Sequence, residues 1–146
     1  MPLTGTFSRN IDDKRRIAIP KRLREEFGNT EKVTSLYVAP GTDKSLAVYS
    51  TTEFETLAAR LAENSSNRAD VRNYLRLFYS RAERVDIDGQ GRVRIPDRLA
   101  EFAQLKREAV LLGVQDHAEI WDAAIWDDFL KATSAEFDKM AEQVFE

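Results

Sequence analysis

A ten-residue string and a close copy of it occur in this chain of 146 residues, and the repeat limits the possible folds more than any other feature of the sequence. Residues 11–20 read IDDKRRIAIP, and residues 87–96 read IDGQGRVRIP, 76 positions later. The match continues from PKRLRE to PDRLAE and, with a small shift, into the segments that begin at Leu36 and Val110. A unit of roughly 45 residues rarely buries enough apolar surface to be stable alone. The two copies are therefore predicted to share one hydrophobic core.

Each copy has the pattern of a small α+β unit. Apolar residues alternate before and after the charged string, which predicts two strands joined by a turn. Pro20 and Pro96 then fit the first position of a short helix, where a missing N–H costs nothing. Two more strands are expected per copy, near 33–39 and 46–49 in the first and near 109–114 and 119–121 in the second.

Helices are predicted to join the copies and to follow the second one. Thr52 and Glu55 have the spacing of a capping box, and apolar residues follow them at helical spacing. A second apolar stripe begins at Val71, after a polar break at 64–67, and a third runs over 126–144. We therefore expect a first module at 5–51, a helical connection at 52–81, a second module at 82–125 and a C-terminal helix at 126–146.

Composition argues against most catalytic and metal chemistry. The chain has no cysteine, which excludes disulfides, a thiol nucleophile and thiolate zinc sites, and His117 is its single histidine. Adjacent acids such as Asp127 and Asp128 do not converge on one substrate atom. No apolar run is long enough to cross a bilayer, and residues 1–10 lack the apolar stretch of a secretory signal. We expect a cytoplasmic non-enzyme with no membrane partner, cofactor, metal or small-molecule substrate.

The charges are unevenly distributed along the chain. Net charge is −3, yet residues 9–24 hold seven basic residues against two acidic ones, and residues 116–146 hold nine acidic residues against two lysines. Solvated charge explains many such patterns, but the asymmetry is also typical of a basic face opposite an acidic one. The acidic total therefore does not exclude a nucleic-acid partner.

Both copies of the string contain the pattern D-x-x-x-R. An aspartate at this spacing accepts turn N–H groups while it pairs with the arginine, which holds a tight loop in shape. Gly89 and Gly91 give the second loop the freedom for positive φ that such a turn needs, where the first loop has Asp13 and Arg15. The predicted loop-structuring residues are Asp12, Asp88, Gly89 and Gly91.

The remaining polar residues of the two loops are hydrogen-bond donors. Arginine binds phosphate or a guanine edge, and glutamine pairs with adenine, so two such loops could lie against a DNA groove. Their recurrence at equivalent points of a duplicated unit strengthens this interpretation, although the arginines could instead only brace their turns. The candidate DNA-binding residues are Lys14, Arg15, Arg16, Gln90 and Arg92.

The strings NIDDKRRIAIP and VDIDGQGRVRIP, with the later segment LLGVQDHAEIWDAAIW, resemble the MraZ family of bacterial transcriptional regulators. The resemblance covers residues 5–129 and implies two tandem SpoVT-AbrB modules in a swapped-hairpin β-barrel flanked by helices. It also implies nucleoid-associated, ring-shaped homo-oligomers that bind direct repeats in double-stranded promoter DNA and repress their own cell-division and cell-wall operon. The Asp12–Arg16 and Asp88–Arg92 pairs match the DNA-contacting loops. The family usually has glycine at the position of Arg15, so the first loop is expected to turn differently or to add a phosphate contact.

Two other functions are compatible with these features. An AbrB-type antitoxin would bind a toxin, although such proteins usually carry one module and a disordered tail. A ring-forming scaffold would bind a protein partner and would leave the loop arginines dispensable.

Overall fold

The computed structural model describes residues 2–28, 32–63 and 68–145. The predicted polar break at 64–67 lies outside the described residues. In chain order the elements are β1 (Thr6–Asn10), β2 (Arg16–Ala18), α1 (Lys21–Gly28), β3 (Ser35–Pro40), β4 (Leu46–Tyr49), α2 (Thr51–Glu63), α3 (Ala69–Arg81), β5 (Glu83–Asp86), β6 (Arg92–Arg94), α4 (Asp97–Phe102), β7 (Glu108–Val114), β8 (His117–Asp122), α5 (Ala123–Thr133), a 3-10 turn (Ser134–Glu136) and α6 (Phe137–Val144).

The two halves of the chain interleave, as the duplication predicted. Six strands form an antiparallel sheet of order β1-β7-β8-β4-β3-β5, and β2 pairs with β6 in a separate two-stranded ribbon. Strand β1 of the first half hydrogen-bonds to β7 of the second, and β5 of the second half hydrogen-bonds to β3 of the first. The predicted α+β class with swapped hairpins is confirmed.

The barrel expected from the family resemblance is not closed in the described part of the chain. Strands β1 and β5 are the two edges of the sheet, and no ladder joins either of them to the ribbon. The reason lies in the turns at residues 11–15 and 87–91, which carry the chain out of the sheet and into the ribbon. The ribbon packs over one face of the sheet instead of continuing it.

An approximate two-fold axis relates the halves. In the ribbon Ile17 lies opposite Val93, 76 positions later, as in the repeated string. At the centre of the sheet Ala47 lies opposite Glu119, 72 positions later. The difference of four positions is the small shift predicted from the sequence, and it falls in the segments between the ribbon and the central strands.

The main core fills the space between the sheet and the ribbon. Alternate residues of the central strands point into it, so that Val38 and Ile120 are buried while their neighbours face the other side. Helices α1 and α4 close the core from the ribbon side, each through a fully buried leucine. Both halves contribute equally, with Ile17, Ile19, Leu23, Leu36, Val38, Leu46 and Val48 from the first and Val93, Ile95, Leu99, Ala109, Leu111, Ala118 and Ile120 from the second.

Aromatic residues attach helices α2, α3 and α5 to the opposite face of the sheet. Phe54 of α2 stacks on Tyr37 with ring centroids 4.2 Å apart, and it also contacts Phe78 of α3. In the second half, Trp126 of α5 meets Trp121 at 5.1 Å. Phe54 and Trp126 are equivalent positions in the two halves, and both pack against the sheet, whereas Phe137 and Val144 of the third predicted stripe are exposed.

Several predicted helix boundaries are displaced. The N-cap of α2 is Ser50, whose Oγ accepts the Glu53 N–H at 3.1 Å, so the predicted cap at Thr52 is wrong. Pro20 and Pro96 stand immediately before α1 and α4 and not inside them. The predicted C-terminal helix at 126–146 is also wrong in extent, because α5 begins at Ala123 and a 3-10 turn separates it from α6.

Candidate nucleic-acid interface

The first loop is organised around the carboxylate of Asp12. Its Oδ1 accepts the backbone N–H groups of Lys14 and Arg16, both at 2.9 Å, and its Oδ2 accepts Nε of Arg16 at 2.7 Å. The backbone adds a bond from the Asp12 N–H to the Arg16 carbonyl at 3.1 Å. The backbone bond from Arg16, opposed by partial burial, lowers the pKa of Asp12 below its ordinary value. One carboxylate therefore fixes both the turn and the guanidinium.

The second loop repeats this arrangement. Oδ1 of Asp88 accepts the N–H groups of Gln90 and Arg92 at 2.9 Å, and Oδ2 accepts Nε of Arg92 at 3.0 Å. The same backbone bond from Arg92 comes first among the causes that lower the pKa of Asp88. The side chains of Lys14 and Gln90 project from corresponding points of the two loops, and both residues are exposed.

One residue of each loop has a left-handed backbone. Arg15 has φ of 59° and Gly91 has φ of 78° at equivalent positions. The first loop thus makes the same turn as the second, and the expectation of a different turn at Arg15 is wrong. Gly89 does not have positive φ, and a Cβ added there would meet nothing within 4 Å. The predicted need for glycine at 89 is therefore wrong, whereas at 91 it is supported.

Hydrogen bonds between the halves hold the two loops at opposite ends of the ribbon. The Ile19 N–H donates to the Gly91 carbonyl and the Ile95 N–H donates to the Arg15 carbonyl, both at 2.9 Å. Arg15 and Gly91 are thus separated by four residue steps of a strand, about 13 Å. This separation is close to the width of a DNA major groove, about 12 Å.

Ion pairs with the second half were not anticipated from the sequence. Nε of Arg15 lies 3.1 Å from Oδ1 of Asp97, at the start of α4. Asp13 similarly faces Arg107 at 3.5 Å. The two ion pairs join residues that are 82 and 94 positions apart in the chain. A local sequence pattern cannot predict them, because only the interleaving of the halves brings the partners together.

The aspartates occupy only part of the guanidinium groups of Arg16 and Arg92. Asp12 and Asp88 occupy Nε of Arg16 and Arg92, while no hydrogen bond from the described residues occupies the terminal nitrogens of these two guanidinium groups. Arg94 lies directly opposite Arg16 on the ribbon and is exposed. The loops and the ribbon thus present guanidinium groups on a shared face, where phosphate oxygens can bind.

A second polar cluster lies on the opposite side of the sheet, around His117. The ring is hydrogen-bonded to Asp116 at 2.8 Å and to Glu119 at 3.2 Å, and it stacks on Tyr49. The hydrogen bond to Glu119 is the main cause that raises the pKa of His117, against the opposing effect of burial. Arg60 of α2 completes the cluster at 3.6 Å from Asp116. His117 is thus held by its own hairpin and by Tyr49, while the Asp116–Arg60 ion pair links the hairpin to α2.

The structure gives no support for a metal site or a membrane span in the residues it describes. Residues 2–28, 32–63 and 68–145 contain no group of three or more His, Asp and Glu side chains placed to hold a metal ion. Within the same ranges, no helix combines the length and the apolar character needed to cross a bilayer.

Interleaved halves with one Asp–Arg loop each define a tandem AbrB-like fold. The family model for "MraZ protein, putative antitoxin-like" matches residues 3–77 and again residues 78–146. The chain is 37% identical over 142 residues to Transcriptional regulator MraZ of Lactiplantibacillus plantarum, which covers 97% of both chains. It is 36% identical over 140 residues to Transcriptional regulator MraZ of Desulforamulus reducens, covering 96% of this chain and 95% of the relative. The chain belongs to the MraZ family.

Proposed function

We propose that this protein is a transcriptional regulator that binds double-stranded DNA through its two Asp–Arg loops. The observation that carries the proposal is the repetition of one loop geometry at the two ends of the ribbon, about 13 Å apart. The relatives named above are called transcriptional regulators, which supports the same conclusion. The contacting residues in this proposal are Lys14, Arg15, Arg16, Gln90 and Arg92.

The two aspartates hold the loops but do not touch DNA in this proposal. A carboxylate facing a phosphate would repel it, whereas Asp12 and Asp88 point their oxygens at the N–H groups of their own loops. Arg16 and Arg92 keep their terminal nitrogens for phosphate oxygens or base edges. Gln90 offers an amide that can pair with adenine at the second loop, where the first has the cation Lys14.

The proposal includes assembly with further copies of the chain, in a ring. One pair of loops neutralises only a few phosphates, so a single chain would bind weakly at physiological salt. Helix α3 exposes Tyr74 and Leu77 among three arginines, and the acidic C-terminal segment exposes Phe137 and Val144. Apolar side chains within regions of opposite charge favour contact between copies, and joined copies on tandem sites gain roughly 10²–10⁴ in avidity.

The target that fits such an assembly is a set of direct repeats in a promoter. We infer that the promoter is the protein's own, upstream of an operon for cell division and cell-wall synthesis, with repression as the result. Such a protein acts in the cytoplasm on the nucleoid, without a cofactor or a catalytic step.

Fluorescence anisotropy with DNA from upstream of the gene tests this function directly. The purified full-length protein is expected to bind that duplex more tightly than a shuffled duplex of equal length, with affinity that falls steeply as salt rises. Light scattering of the same sample is expected to show several copies per particle. Equal, weak binding of both duplexes would contradict the proposal.

The description of the matching family as antitoxin-like supports a second candidate function, the capture of a protein toxin. Co-expression with the products of genes adjacent to its own would distinguish the two. A stable complex with a small protein, together with the absence of DNA binding, would favour the antitoxin.

A further inference from the structure

A guanidinium from the first half lies against the left-handed residue of the second loop. A Cβ added to Gly91 would come within 2.8 Å of Cζ and 3.0 Å of Nε of Arg24. Nε of Arg24 also donates to the Ile19 carbonyl at 3.0 Å, which fixes the side chain at the point where the chain enters α1. Arg24 therefore fills the space that a side chain at position 91 would need.

At the first loop the residue types are exchanged, with the arginine in the loop and a small residue in the helix. There the left-handed residue is Arg15, which brings its own guanidinium. The position equivalent to Arg24 is Ala100, which is 2% exposed and has no long side chain to compete for the space. Each loop thus has room for one arginine beside its left-handed residue, supplied by the loop in one half and by the helix in the other.

The two guanidinium groups differ in charge environment. Arg15 is paired with Asp97, whereas the position equivalent to Asp97 near the second loop is Lys21. Within the described residues, no carboxylate oxygen lies within 4.0 Å of the Arg24 guanidinium, which remains partly exposed. A partly exposed cation with no carboxylate partner among the described residues favours an anionic ligand.

We propose that Arg24 is a phosphate-contacting residue of the second loop and takes the place that Arg15 has at the first. This inference rests on the proposed DNA-binding function and adds a residue that the loop motif does not contain. Its contact is with the DNA backbone, so it raises affinity for all duplexes and does not select a sequence.

The test is a salt titration of DNA binding with the full-length protein and its Arg24→Gln variant. Glutamine keeps an amide that can donate to the Ile19 carbonyl while it removes the charge. We expect affinity to fall on the order of tenfold for specific and shuffled duplexes alike, and the slope of log K against log salt to become shallower by about 0.9. Lys44→Gln removes an equal charge from the exposed turn between β3 and β4, outside the loops, the ribbon and α3, and is the matched control, expected to leave both quantities unchanged.

A swap variant tests whether the two arginines share one role. Gly91→Arg alone is expected to lose affinity, because the new side chain collides with Arg24. Gly91→Arg combined with Arg24→Ala moves the guanidinium onto the loop, as at Arg15, and is expected to return the affinity to within about threefold of the unmodified protein.

The outcomes separate this inference from the proposed function. If the unmodified protein binds DNA and Arg24→Gln has the same affinity and salt slope, the inference is wrong while the function stands. Absence of rescue in the swap variant also overturns the shared role. If the unmodified protein does not bind DNA, the proposed function itself fails.

Discussion

At the scale of single residues, the four-residue spacing of Asp and Arg was enough to predict the form of each loop. Asp12 and Asp88 accept the expected N–H groups, because a side chain this short can reach only the turn that follows it. The left-handed backbone at Arg15 could not be read from the sequence, since arginine rarely adopts it. There the crossing bond from the Ile95 N–H and the ion pair with Asp97 hold the conformation.

The two glycines of the second loop are expected to respond differently to alanine. Gly91→Ala is expected to lower the free energy of unfolding by about 1–2 kcal/mol, because a Cβ is strained at its φ of 78°. Gly89→Ala is expected to raise the free energy of unfolding, by no more than about 1 kcal/mol, because a Cβ at this position meets no other atom. Urea unfolding of both variants measures this difference, and equal destabilisation would contradict the assignment.

At the scale of secondary structure, strands were predicted more accurately than helix ends. The alternation of apolar residues located β4 and β7 closely, since each strand has one face toward the core and one toward the helices. Helix starts were missed by one to three residues because Ser50, the actual cap of α2, carries no stronger signal than its neighbour Thr52. The connection of the His117 cluster to α2 was not predicted, because the Asp116–Arg60 ion pair depends on how α2 lies against the β7–β8 hairpin.

The cluster around His117 predicts a pH dependence of stability. Its pKa is raised in the folded protein, mainly by Glu119, so protonation stabilises the fold fully below the unfolded value of 6.5. That contribution is lost as the pH rises through the folded pKa, while burial holds the pKa of Tyr49 at about 12, outside this window. His117→Gln should therefore show a smaller loss of stability between pH 6 and pH 9 than the unmodified protein. Parallel pH profiles of the two proteins in urea unfolding would contradict this account.

At the scale of the whole molecule, the repeat determined the architecture. Two copies of one short unit predicted a shared core, and the ladders β1–β7, β3–β5 and β2–β6 each join one half to the other. The sequence alone did not show that the sheet stays open beside the ribbon. The alternation of apolar residues shows which face of a strand is buried, but it does not show which strand lies beside it.

Separated halves are expected not to fold alone. Residues 1–81 contain β1 without its partner β7 and β2 without β6, so the monomeric fragment would expose most of the shared core. We expect circular dichroism to show no cooperative melting of this fragment as a monomer. Folding should return when residues 82–146 are added or when the fragment pairs with itself. A cooperative, monomeric fragment 1–81 would contradict the interleaved core.

The most direct test of the central claim is a DNA-binding titration that compares Arg16→Ala, Arg92→Ala and the double variant with the unmodified protein. If the equivalent loops are both DNA-contacting elements, each single variant loses affinity for the upstream duplex on the order of tenfold or more and has a shallower salt dependence, and the double variant loses more. Thermal unfolding of the same samples shows whether the fold is retained. Unchanged DNA affinity in all three folded variants would mean that the arginines only brace their turns, and would contradict the account.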